Sequence, residues 1–64
     1  MKIVWLENCV VDMAVSASDV QEIPRNNNQT EVVKNVIAKG PRSVMTFENG
    51  DISMPIPNHW FSCS

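Results

Sequence analysis

The stretch VMTFENGDISM, residues 44–54, constrains the fold more than any other part of the chain: two alternating runs are joined by Asn49 and Gly50. Asn-Gly is the favoured pair for a two-residue type I′ turn, because both central positions need positive φ, which Asn tolerates and Gly adopts freely. Such a turn sets a register. Phe47 then faces Ile52 and Met45 faces Met54 on one side, while Glu48 faces Asp51 and Thr46 faces Ser53 on the other. One side is apolar and the other polar, so turn chemistry and side-chain pattern both predict an antiparallel hairpin.

Upstream, QTEVVKNVIAKGP has Val32, Val33, Val36 and Ile37 at helical spacing on one face. Thr30 suits the cap, Glu31 the first turn and Lys39 the last, and Gly40-Pro41 supplies a stop. The β-branched residues favour a strand instead. A regular strand, however, puts Lys34 on the face of Val32 and Val36, so the expectation is a short helix.

KIVWL and NCVVDMAV are predicted to be strands, paired as a hairpin around Glu7 and Asn8. DVQEIP, closed by Pro24, reads as a third strand at an edge, and RNNNQ as a polar, mobile loop. The sum is one domain over residues 1–64, of class α+β: a small antiparallel sheet with one short helix packed on its apolar face. A small β-barrel of the SH3 or OB type is the alternative should the helix be absent.

A chain of 64 residues buries too little to be very stable, its core supplying about 3–5 kcal/mol. Cys9 and Cys63 allow one bridge at most, far from a secreted disulfide framework. Glu7, Asn8 and Asp12 interrupt the amino-terminal apolar run before it can act as a signal-peptide core, and no run reaches the ~18 apolar residues of a membrane span. A complete, soluble, cytoplasmic product with reduced thiols is expected.

Five Lys and Arg against seven Asp and Glu give a net charge of -2, which disfavours general affinity for nucleic acid. A local basic patch of Lys34, Lys39 and Arg42 beside stacking aromatics is the form such binding would take. His59, Cys63 and Cys9 are three metal-ligand types without a paired motif, where a structural zinc site needs four ligands, so no metal or cofactor is expected. A Cys–His nucleophile would need an orienting group, an oxyanion hole and a pocket that so short a chain has little room for, so no catalytic residue is assigned. Glu48 and Asp51 flank a tight turn without the further ligands of a calcium loop.

The arrangement MKIVWLENCVV, then SDVQEIP, then a short helix ending in AKG resembles small orphan proteins encoded by phages and prophages, over the first two-thirds of the chain. Ser18-Asp19 stands where those proteins usually carry Gly-Asp. The resemblance implies a host protein as target and brings no functional residue with it.

In MPIPNHWFSCS, Pro55 and Pro57 lack amide donors, so their strand must be an edge or must leave the sheet. Ile56, His59, Trp60 and Phe61 then either plug a core too small to close itself or form an exposed anchor for another protein. The function expected is a non-enzymatic protein-interaction module, an inhibitor or modulator of a host protein if the resemblance holds, with a homodimer as a related form. A small nucleic-acid-binding regulator is the second expectation.

Overall fold

The computed structural model describes residues 1–14 and 18–64, which are nearly all antiparallel β structure. The strands are β1 (Lys2–Trp5), β2 (Cys9–Ala14), β3 (Val20–Arg25), β4 (Thr30–Lys39), β5 (Arg42–Phe47), β6 (Ile52–Ser53), β7 (Ile56–Pro57) and β8 (Phe61–Cys63). Their order across the sheet is β3-β2-β6-β5-β4-β1-β8, with β7 also on β5. Among the described residues the only helical element is the 3₁₀ turn Asn58–Trp60. The α+β expectation is therefore overturned, and the small β-barrel alternative is the closer of the two.

The segment predicted as a helix is β4, and a bulge explains the error. Val33 pairs with Phe47 but Asn35 pairs with Thr46, so Lys34 is an extra residue. An extra residue reverses the alternation beyond it. Val33 is buried, Lys34 and Asn35 are both exposed, and Val36 turns inward again. The spacing of three between inward residues imitates a helix, while β-branched Val and Ile prefer the strand. The bulge also lies where β4 changes partner: Thr30–Val32 pair with β1 and Val33 onward with β5. Strands that switch sheets turn their corner at such bulges.

The predicted hairpin exists, as β5 and β6, but its register is one residue off. Thr46, not Phe47, pairs with Ile52. The Gly50 amide donates to the Phe47 carbonyl at 2.9 Å and the Phe47 amide to the Asp51 carbonyl at 2.8 Å. Of the turn residues only Gly50 has positive φ, at 91°, so the loop is three residues long, a geometry in which the last loop residue sits in the left-handed region. The Asn49 side chain favours it, accepting from the Asp51 amide and donating to the Asp51 carboxylate, each at 3.0 Å. A one-residue slip exchanges the faces. Ser53 goes inward with Met45 and Phe47, while Ile52 and Met54 go out.

β1 and β2 do not pair with each other. β1 lies between β4 and β8, and β2 between β3 and β6. Asn8 instead accepts from the Asn27 amide at 2.8 Å, and the Asn28 amide donates to the Trp5 carbonyl at 2.7 Å, so 26–29 is a hydrogen-bonded turn rather than a free loop. β3 is an edge strand, as its Pro24 requires. The predicted continuation of β2 to Val15 lies outside the described residues. The core is formed by Ile3 and Trp5 of β1, Val11 and Met13 of β2, Val33, Met45, Phe47, Ile56 and Phe61. No helix among the described residues is long and apolar enough to cross a membrane.

Candidate functional site

The carboxyl-terminal residues divide between core and surface. Ile56 on β7 and Phe61 on β8 are buried, His59 is exposed, and Trp60 is half-buried against the core. Phe61 is the register partner of Trp5, and the two rings meet edge to face with centroids 6.1 Å apart. Such pairs contribute about 0.5–1.5 kcal/mol beyond their burial. Asn58 locks the segment down. Its side chain accepts from the Ser43 hydroxyl at 2.6 Å and donates to the Gly40 carbonyl at 3.0 Å, and its amide donates to Pro41. Ile56 and Phe61 thus belong to the core, which leaves His59 and one side of Trp60 for any partner.

A groove of about 280 Å³ is lined by the core residues Met13 and Phe47 together with Ile23. Its polar wall is a chain of contacts on one carboxylate. Arg25 pairs with Glu31 through Nε at 2.7 Å and Nη2 at 3.0 Å, and the buried Trp5 indole donates to Glu31 Oε1 at 3.0 Å. The guanidinium also sits 5.9 Å from the centre of the Phe47 ring. A two-point pair of this kind fixes geometry as well as charge. Arg25 and Glu31 neutralise each other, so the chain of contacts holds β3, β4 and β1 together and leaves neither group for a ligand.

The predicted basic patch comes together only in part. Lys39 and Arg42 are register partners beside the Gly40-Pro41 turn, where Gly40 has φ 62° as the first central residue of a type II′ turn does. Lys34, at the bulge, lies five residues along the strand, about 16 Å away. Of the three candidate stacking rings, Trp5 and Phe61 are buried and offer no face, while Trp60 is half-buried.

The sulfur and imidazole groups are also dispersed. Cys9 pairs with Arg25 on the β2–β3 ribbon, whereas Cys63 pairs with Ile3 on β1, and both thiols are free. Burial pushes the Cys9 thiol up, Glu7 adds to the rise, and Arg25 opposes it.

The surface that sequence reasoning missed is the outer face of the sheet β4-β5-β6-β2-β3. Val20, Ile37, Ile52 and Met54 are 57%, 52%, 47% and 43% exposed. Register places them side by side. Ile37 is opposite Val44, Thr46 opposite Ile52, Ile52 opposite Ala14, and Ala14 opposite Val20. The Met54 amide donates to the Asp12 carbonyl at 2.8 Å, which brings Met54 into the row of Ile37 and Val44. Adjacent aliphatic side chains, each about half in water, form a continuous apolar face of a kind that marks interaction surfaces. The signal for it was Asp51 after Asn49-Gly50, since an Asn49–Asp51 side-chain bond favours the longer loop and with it the register that turns Ile52 and Met54 outward.

No protein-family model, no curated protein and no solved structure matches this chain.

Proposed function

We propose that this chain is a non-enzymatic protein-interaction module whose binding surface is the outer sheet face around Ile37, Ile52 and Met54. The observation that carries the reading is the run of half-exposed aliphatic side chains in register across five strands. Leaving that much apolar surface in water forgoes about 25 cal/mol for each Å² that a partner would cover. His59 and the exposed side of Trp60 are a second, smaller contact region. A cytoplasmic setting is supported by both cysteines being free. An inhibitor or modulator of a host protein is the role that the likeness to phage-encoded proteins suggests. The nucleic-acid reading retains Lys39 and Arg42 as a basic pair, with half-buried Trp60 two residues from the Asn58 that bonds to their turn.

The test is affinity capture from a lysate of the source cell with wild type and with Ile52→Asp/Met54→Asp. Both substituted side chains point to solvent, so the double variant is expected to keep the wild-type circular dichroism spectrum and to lose the captured protein. Equal capture by a folded double variant would refute the assignment of this face. A gel-shift titration at low salt decides the nucleic-acid alternative, for which no shifted band is expected.

A further inference from the structure

The apolar face has charged corners of opposite sign, and each corner is formed by like charges set directly opposite one another. On β2 and β3, Asp12 is the register partner of Glu22. On β4 and β5, Lys39 is the register partner of Arg42. All four side chains are exposed. Like charges in facing positions destabilise a sheet. Neither pair is neutralised within the chain, since Arg25–Glu31 is the only ion pair among the described residues.

The corners share one sheet face with the aliphatic row between them. β4 and β3 are separated by four strand spacings, about 19 Å. Asp12 and Glu22 lie in the row of Ile37, Val44 and Met54, and Lys39 and Arg42 lie one row further along. One row is about 7 Å, within the span of a Lys or Arg side chain reaching toward a carboxylate.

From this arrangement, and resting on the outer face being an interface, we propose that its partner is a second copy of the chain. A two-fold axis running along β6, between two stacked sheets, lays β4 and β5 of one copy over β2 and β3 of the other. Lys39 and Arg42 of one copy then meet Asp12 and Glu22 of the other, twice over, because the contact is isologous. Ile37 and Val44 lie over the stems of Glu22 and Asp12, one row from Val20 and Ala14, and Ile52 and Met54 lie near the axis. Each like-charge pair gains the opposite charges it lacks in the single chain. A face four strand spacings wide belongs with the smaller interfaces.

The experiment is sedimentation equilibrium of purified wild type, Lys39→Glu/Arg42→Glu, and Asp12→Lys/Glu22→Lys, each alone and the two variants mixed one to one. Wild type is expected to dimerise. Each variant alone carries one sign at both corners and should associate about tenfold or more weakly. The mixture restores both contacts and should recover dimer, with each variant first shown to keep the wild-type circular dichroism spectrum. Should a double variant unfold, Lys39→Glu and Glu22→Lys make the same comparison. Wild type that stays monomeric up to its solubility limit, or variants whose mixture recovers nothing, would overturn the second-copy inference. A monomeric wild type that still captures a different protein through Ile52 and Met54 sinks this inference alone; a monomer that captures nothing sinks the interface reading as well.

Discussion

The Ser53 hydroxyl accepts a hydrogen bond from the Met45 main-chain amide at 2.9 Å, inside the core. Met45 is fully buried and Ser53 nearly so, and β6 is only two residues long, so side chain replaces main chain as the acceptor that β5 needs there. Ser53→Ala strands that amide away from water. The expected loss is about 1–3 kcal/mol in urea unfolding, because a buried donor without a partner costs its full desolvation. Ser62→Ala, which removes only an exposed contact to Cys63, is the control and should change stability by less than about 0.5 kcal/mol.

Glu31 carries more of the fold than any other charged residue, since three donors converge on its carboxylate from β1 and β3. Glu31→Ala leaves the buried Trp5 N–H without an acceptor and Arg25 with no counter-charge. Both members of the ion pair retain some exposure, at 13% and 19%, so the loss belongs below that of a fully buried pair, about 2–3 kcal/mol. Glu31→Gln keeps an oxygen for the indole and should cost about half as much. Equal losses for the two variants in urea melts would show that the Trp5 bond contributes nothing.

Phe61 and Trp60 are neighbours with different duties. Phe61 is 8% exposed and stacked edge-on against Trp5, so Phe61→Ala should cost about 3–5 kcal/mol and leave most of the chain unfolded at room temperature. Trp60 only leans on the core, and Trp60→Ala should remain folded with a lower midpoint. Near-ultraviolet circular dichroism distinguishes the outcomes, and a well-folded Phe61→Ala would contradict the place given to that ring.

The two thiols should differ in reactivity. Burial holds the Cys9 thiol above the ordinary range, with Glu7 adding to the effect, while Cys63 lies exposed on β8. Because the thiolate is the nucleophile, iodoacetamide at mildly alkaline pH should label Cys63 well before Cys9 by mass spectrometry. A thiol whose folded pKa is raised binds its proton more tightly in the native state. Its contribution to stability is therefore complete at neutral pH and falls away as pH rises through the folded value, on the alkaline side of the usual thiol range. Cys9→Ser should flatten that alkaline decline.

How much of this was legible in the sequence depended on whether the local pattern was regular. The strands around Trp5, Met13 and Ile23 follow simple alternation and were found, as was the edge position of β3 from Pro24. The pairing of β1 with β4 and β8 was not, because partners 26 or more residues away leave no local trace. The hairpin at Asn49-Gly50 was visible, but its register turned on whether the loop held two residues or three. That single residue decided whether Ile52 and Met54 were core or interface. Ile56 and Phe61 were recognised as important for their size, whereas plug and anchor roles give the same composition.

The bulge at Lys34 gives the clearest separate test of the fold. With the extra residue, Val33 and Val36 both face inward; without it, Val33, Asn35 and Val36 would alternate in, out, in with no irregularity. Deleting Lys34 should therefore keep every inward side chain of β4 inward and preserve the fold, losing about 1–2 kcal/mol from the relaxed bend at the corner with β1. Deleting Ile37 reverses the faces of Ala38 and Lys39, carries Lys39 toward the core side and breaks the pairing with Arg42 at the Gly40 turn. That chain should fail to give a cooperative thermal transition. A helix over the same residues predicts otherwise, since either deletion rotates the remaining residues by about 100° and both would disrupt packing alike.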